Sequence, residues 1–143
     1  MNHLPREFRG DIMNLLDTCF VIDLMKGRTD CKVFLQDRKA QGQDVFLSTV
    51  SVYELLVGLA HTHNKKLEEQ KIKNALSLLP TISFDMIASR ESGAIYFELK
   101  SCGQILKGYD ILIAGIARAN NYSIVTRDGK HFHRINGLQV IEY

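Results

Sequence analysis

Apolar residues recur along this chain in two rhythms: short unbroken runs, and longer stretches with a spacing of three to four. Ile12–Leu16 is a short run and reads as a buried strand, and "TCFVIDLMKG" after it reads as a helix that Gly27 terminates. "RTDCKVFLQDRKAQGQD" reads as a second helix ended by Gly42, with Val33, Phe34 and the aliphatic stem of Lys32 or Arg38 turned inward. Val45–Leu47 gives a second strand, and Ser48–Thr49 caps a helix whose inward face is Val52, Leu55, Leu56 and Leu59. "NKKLEEQKIKNALSLL" is amphipathic, with Leu67, Ile72, Leu76 and Leu79 inside and Pro80 as its stop. Thr81–Phe84 is a third strand, and Asp85 caps a long helix over Met86–Ser101 that Gly103 closes. "GYDILIAGIARANN" is apolar nearly all round, as a buried helix is. Tyr122–Thr126 supplies a fourth strand and "LQVIEY" a fifth.

Strands alternating with helices predict an α/β fold, a single-domain three-layer α/β/α sandwich around a mostly parallel sheet of four or five strands. In such sheets ligands sit outside the carboxyl ends of the strands. The 143 residues suit one domain, assigned to residues 13–143, with residues 1–12 as an N-terminal extension. Apolar residues make up 45% and charged residues 24%, which excludes a disordered chain. The apolar runs are far too short to span a membrane, and the N-terminus lacks a signal-peptide block, so a cytoplasmic location is expected. Cys19, Cys31 and Cys102 are odd in number and lack CxxC spacing, and read as small buried thiols. A formal net charge of +2 permits a polyanionic partner without requiring one.

Four carboxylates fall in comparable places. Asp17 ends the first strand, Glu54 lies early in the helix after the second, Asp110 opens the buried helix, and Asp128 follows the strand "YSIVT". Each alone reads as a helix cap or first-turn acid favoured by the helix dipole. A parallel sheet points all four at one edge, where clustered carboxylates repel and call for a neutralising cation. An all-oxygen site favours magnesium or manganese. Gly58, one turn after Glu54, leaves space beside it, and Thr18 and Thr126 place hydroxyls next to two of the acids.

"LLDTCFVIDLMKG", "STVSVYELLVG" and "GYDILIAGIARANNYSIVTRDGKHFHRINGLQVIEY" resemble the PIN domain, and within it the VapC-type toxins of toxin–antitoxin pairs. The resemblance runs from Met13 to Tyr143. It implies a magnesium-dependent endoribonuclease, with manganese as an alternative ion. Asp17 and Asp110 match the acids usually taken as direct metal ligands, Glu54 and Asp128 complete the quartet, and Thr126 matches the hydroxyl residue that supports the site. It also implies an RNA substrate, a homodimer, and silencing by a small antitoxin. Cys19 departs from the family's frequent asparagine, and the stretch before Met13 is not typical of it.

The implied chemistry is hydrolysis of an RNA phosphodiester, leaving a 5′-phosphate and a 3′-hydroxyl. An acidic pocket repels RNA, so basic neighbours should flank it. Lys107, Arg127 and Lys130 are the candidate RNA contacts, with Lys26, Arg28, His131, His133 and Arg134 nearby in sequence. Tyr109 is placed to stack on a base or to anchor the core. His61 and His63 read as a surface pair rather than a zinc site. Phe20, Leu24, Phe34 and Leu35 are open to two readings, antitoxin contact or core. The alternative from another class is a noncatalytic RNA-binding or protein-interaction module on the same fold. Loss of one of the four acids would favour it, and all four are present. A receiver-like domain and a structure-specific DNA nuclease fit less of the pattern.

Overall fold

Leu15 and Leu16 are neighbours with opposite duties: both are fully buried, but each belongs to a different core cluster. That is the two-residue period of a strand covered on both faces. The computed structural model describes residues 13–143. Residues 1–12, and with them the expected extension and the start of the first strand at Ile12, lie outside the described residues.

Five strands form one parallel sheet: β1 (Asn14–Leu16), β2 (Val45–Ser48), β3 (Thr81–Ile82), β4 (Ser123–Thr126) and β5 (Val140–Glu142). Their spatial order is β3-β2-β1-β4-β5. The chain winds outward from β1 in one direction through β2 and β3, then returns to β1's other side with β4. The order therefore reverses between β1 and β4, the place where a doubly wound sheet opens a crevice at its carboxyl ends.

One face of the sheet is covered mainly by α5 (Met86–Ser101) and α6 (Gly108–Asn120), which pack on Leu15 and Ile124. The other carries α1 (Thr18–Met25), α2 (Thr29–Ala40) and α4 (Lys65–Leu78), whose buried Phe20, Val21, Cys31, Ile72 and Ala75 meet Leu16, Leu47 and Val125. α3 (Thr49–Gly58) lends Val50 to the first core and Leu55 to the second, and runs into a 3-10 turn at Leu59–His61. α7 (Gly129–Phe132), a single turn, was not expected from the sequence. The three-layer α/β/α arrangement is as expected.

Several inward assignments are corrected. Val33, Leu56 and Leu67 are 47%, 48% and 50% exposed; of Lys32 and Arg38 it is Arg38 that is half-buried, its guanidinium over the Phe34 ring. Cys31, Ser51 and Ala75 take the inward positions instead. Phe20 is fully buried and belongs to the core, whereas Leu24, Phe34 and Leu35 are half-buried at its edge. Of the three thiols only Cys31 is buried; Cys19 is half-buried and Cys102 exposed. His61 and His63 are both exposed, as a surface pair should be.

Gly115 sets how closely α5 and α6 approach. A Cβ there would collide with Ser92 Oγ and stand 2.8 Å from the Ala88 carbonyl oxygen. The backbone cannot yield without moving α5. Gly115→Ala is therefore expected to destabilise the fold by about 2–3 kcal/mol in urea denaturation, as overpacking does.

Candidate active site

Asp17 follows β1 and caps α1. Its Oδ1 accepts from the Thr18 backbone N–H at 2.8 Å, so the acid is held by its own helix start. Its Oδ2 accepts from Thr126 Oγ1 at 2.9 Å, and the Cys19 thiol lies 3.2 Å from the same oxygen. Thr126 ends β4, the strand beside β1, and is fully buried. Its Oγ1 also accepts the Asp128 N–H at 3.0 Å. One threonine thus ties together the two acids on either side of the sheet's reversal.

Glu54 arrives from α3. Its Oε1 accepts from Thr18 Oγ1 at 2.8 Å. Having given its proton to Glu54, Thr18 Oγ1 must accept from Ser51 Oγ, 2.8 Å away, and Ser51 Oγ in turn accepts from Ser48 Oγ at 3.3 Å. The result is a chain of buried hydroxyls running from the cap of α3 to a carboxylate. Ser48 was expected as a cap, whereas Ser51 was not singled out from the sequence. A serine on the inward stripe of an otherwise apolar helix was the available signal.

Asp110 sits in the first turn of α6 without a hydrogen bond to an ordered partner among the described residues. Burial pushes its carboxyl up to about 6, and the charges of Asp17 and Glu54 add to the shift; His131 and Lys107 offset part of it. Glu54 is also raised, by burial first and by Asp17, against the Thr18 hydrogen bond and Lys107. Asp128 is the most exposed of the four and stands 3.1 Å from His131 Nε2.

All four acids line one cavity of about 250 Å³, together with Thr18, Cys19, Lys107, Arg127 and His131. Lys107 precedes α6 and faces this cavity. Lys130 is exposed and is not among its lining residues. Arg127 lines the cavity but is already paired: its Nη1 donates to both oxygens of Asp23, at 2.7 and 2.8 Å. Asp23 is 1% exposed, and sequence reading passed it over. Its signal was a lone charge inside the apolar run "FVIDLM". Tyr109 is 44% exposed rather than a core anchor, and meets Tyr53 edge to face with ring centres 5.7 Å apart.

The donor set is four carboxylates against Lys107 and an arginine whose charge Asp23 already matches. Two of the acids resist ionisation, first because they are buried and then because of the neighbouring charges. Such an all-oxygen, electronegative pocket fits a hard divalent cation. Among the described residues no three His, Cys, Asp or Glu groups already stand as a finished metal cage. The acids share the cavity without closing on one point.

These features define a nuclease-like acidic site at the switch point of a parallel sheet. The chain belongs to the PIN domain family, whose sequence model matches residues 15–138. It is 28% identical over 124 residues to Ribonuclease VapC2 of Rickettsia felis, covering 87% of this chain and 92% of that one. It is 28% identical over 97 residues to the tRNA(fMet)-specific endonuclease VapC of Shigella flexneri, covering 68% and 74%. A chain in the crystal structure of VapBC2 from Rickettsia felis bound to a promoter DNA fragment superposes with a TM-score of 0.87 at 26% identity, covering 92% of this chain and 99% of that one. Nucleases of the PIN family generally use a divalent metal.

Proposed function

We propose that this chain is a VapC-type endoribonuclease, the toxin of a toxin–antitoxin pair, with Asp17, Glu54, Asp110 and Asp128 as its metal-binding acids and magnesium as the ion. The observation that carries this reading is the convergence of those four carboxylates on one cavity at the β1/β4 reversal. The VapC relatives and the VapBC superposition support the toxin assignment. The PIN domain is proposed to span residues 13–143, behind the short extension.

When bound, the cation would lower the pKa of a water and polarise a phosphoryl oxygen. The chain's own residues do the rest. Thr126 fixes the Asp17 carboxylate and the turn that bears Asp128. Thr18, held by Ser51, orients Glu54. Asp110, raised by burial and by the charges of Asp17 and Glu54, is the acid whose ionised form a bound cation would favour most. Lys107 and the outward part of Arg127 offset the repulsion an RNA phosphate meets at an acidic pocket.

A second groove of about 230 Å³ shares Thr18, Ile22 and Glu54 with the acid cavity and continues along Met25, Leu55, Leu59 and Ile72. Its apolar walls suit an antitoxin segment leading into the site. The protein is proposed to act as a homodimer in the cytoplasm. Among the described residues no helix is long and apolar enough to cross a membrane. The tRNA(fMet) specificity of the Shigella flexneri relative belongs to that protein.

Total cellular RNA incubated with the purified protein tests the reading. Discrete fragments are expected with millimolar magnesium, none with a chelator, and none from Asp17→Asn. Fragments unaffected by the chelator and by that substitution would remove the metal-nuclease assignment.

A further inference from the structure

Asp23 is the only charged residue of α1, and no step described so far uses it. Burying a carboxylate is costly unless donors surround it. Here one comes from the turn after α1 and two from distant stretches. Arg127 Nη1 contacts both oxygens, Arg28 Nη1 lies 3.3 Å from Oδ2, and the Tyr143 hydroxyl donates to Oδ2 at 2.8 Å. Tyr143 packs edge to face on the buried ring of Phe20, with centres 4.7 Å apart. Burial, and then the hydrogen bond to Asp23, push its phenol well above the ordinary range, so it remains a proton donor.

Arg127 stands between Thr126, which grips Asp17, and Asp128. Its side chain is 47% exposed and lines the acid cavity. Among the described residues only Nη1 has a hydrogen-bond partner, which leaves the N–H groups of Nε and Nη2 available. A loose arginine beside four carboxylates would fold onto them and occupy the place of the cation. Asp23, which does not line the cavity, holds a competing charge that is fixed by burial.

We infer that Asp23 is a positioning residue: it pins one nitrogen of Arg127 so that the remaining guanidinium donors meet the phosphate of the RNA strand at the cavity rim. This rests on the nuclease reading and extends it to two residues not counted among its acids. The planar fork of arginine suits the task, since one edge can be anchored while the other stays presented. Pinning also removes the ordering cost that a free side chain would incur on binding.

The test is steady-state cleavage of an RNA oligonucleotide in magnesium, with the wild type and its Asp17→Asn variant as controls. Asp23→Asn and Arg127→Ala are each expected to raise KM roughly fivefold, with the loss falling on KM rather than kcat, and to flatten the salt dependence of KM by about one counterion. The double variant is expected to be no worse than either single, because both remove the same contact. Arg127→Lys keeps the charge but not the fork, and should recover only part of the loss. A merely structural Asp23 would lower the melting temperature, leave KM and its salt dependence as in the wild type, and add its effect to that of Arg127→Ala; that result overturns the inference. Should Asp23→Asn fail to fold, Arg127→Ala decides alone, since an unchanged KM and salt dependence there has the same consequence. A wild-type protein that cleaves nothing instead sinks the nuclease reading itself.

Discussion

Asp110→Asn is expected to abolish RNA cleavage, by at least about a thousandfold, while making the fold more stable at pH 7.5. The activity loss follows from removing a member of the acid quartet. The gain in stability follows from the carboxyl being raised from 3.8 to about 6 in the folded chain. In the unfolded chain the group ionises near its ordinary value, so folding pays a charge penalty wherever the unfolded carboxylate is ionised. That penalty is absent below about pH 3.8, grows through the interval, and is full above about pH 6. Taken at face value the shift corresponds to about 3 kcal/mol; solvent screening at this half-buried position, and the loss of a helix-dipole contact in the first turn of α6, reduce the net gain to about 1 kcal/mol. Thermal melts of both proteins from pH 4 to 8 check it. The variant's advantage should appear on raising the pH and vanish near pH 4. Millimolar magnesium should raise the wild-type melting temperature more than the variant's. A variant that is destabilised equally at every pH would show that the Asp110 carboxylate carries no charge penalty in the fold, and the cation argument would lose its basis.

Thr126→Val carries the second large effect. Valine matches the shape of threonine but has no hydroxyl. Asp17 Oδ2 would lose its oxygen donor and the Asp128 N–H its acceptor, around a side chain that is itself fully buried. Losing both hydrogen bonds should cost about 2 kcal/mol in urea denaturation. Cleavage should fall by about 10- to 100-fold, the scale seen when a supporting hydrogen bond behind a metal ligand is removed. Thr126→Ser should restore most of both. If valine costs under about 0.5 kcal/mol and leaves cleavage intact, Thr126 is not the link between the two acids.

The contrast between these two substitutions reflects how differently the parts of the site could be read beforehand. The acids announce themselves because each lies beside a buried apolar run, and a parallel sheet brings strand ends together whatever their order. Thr126 was legible for the same reason. The Asp23–Arg127–Tyr143 cluster was not, because nothing in the local pattern pairs residues 23, 127 and 143. Arg127 looked like a free cation for RNA, and its anchoring was visible only once α1, β4 and β5 were side by side. Lys130 shows the reverse case: adjacency to Asp128 in sequence did not bring it to the cavity, since one helical turn of α7 carries it away.

By itself the sequence determined the alternation of elements, the caps at Ser48 and Asp85, and the acids beside the apolar runs, because period, capping chemistry and chain direction are local properties. Only the tertiary structure decided the strand order and with it the β1/β4 crevice, the exposure of Val33, Leu56 and Leu67, and the partner of Arg127. An apolar stripe is buried only as far as a neighbour covers it, and a charge pairs with whatever the fold brings near. Both depend on contacts between segments far apart along the chain, which no periodicity within a segment encodes.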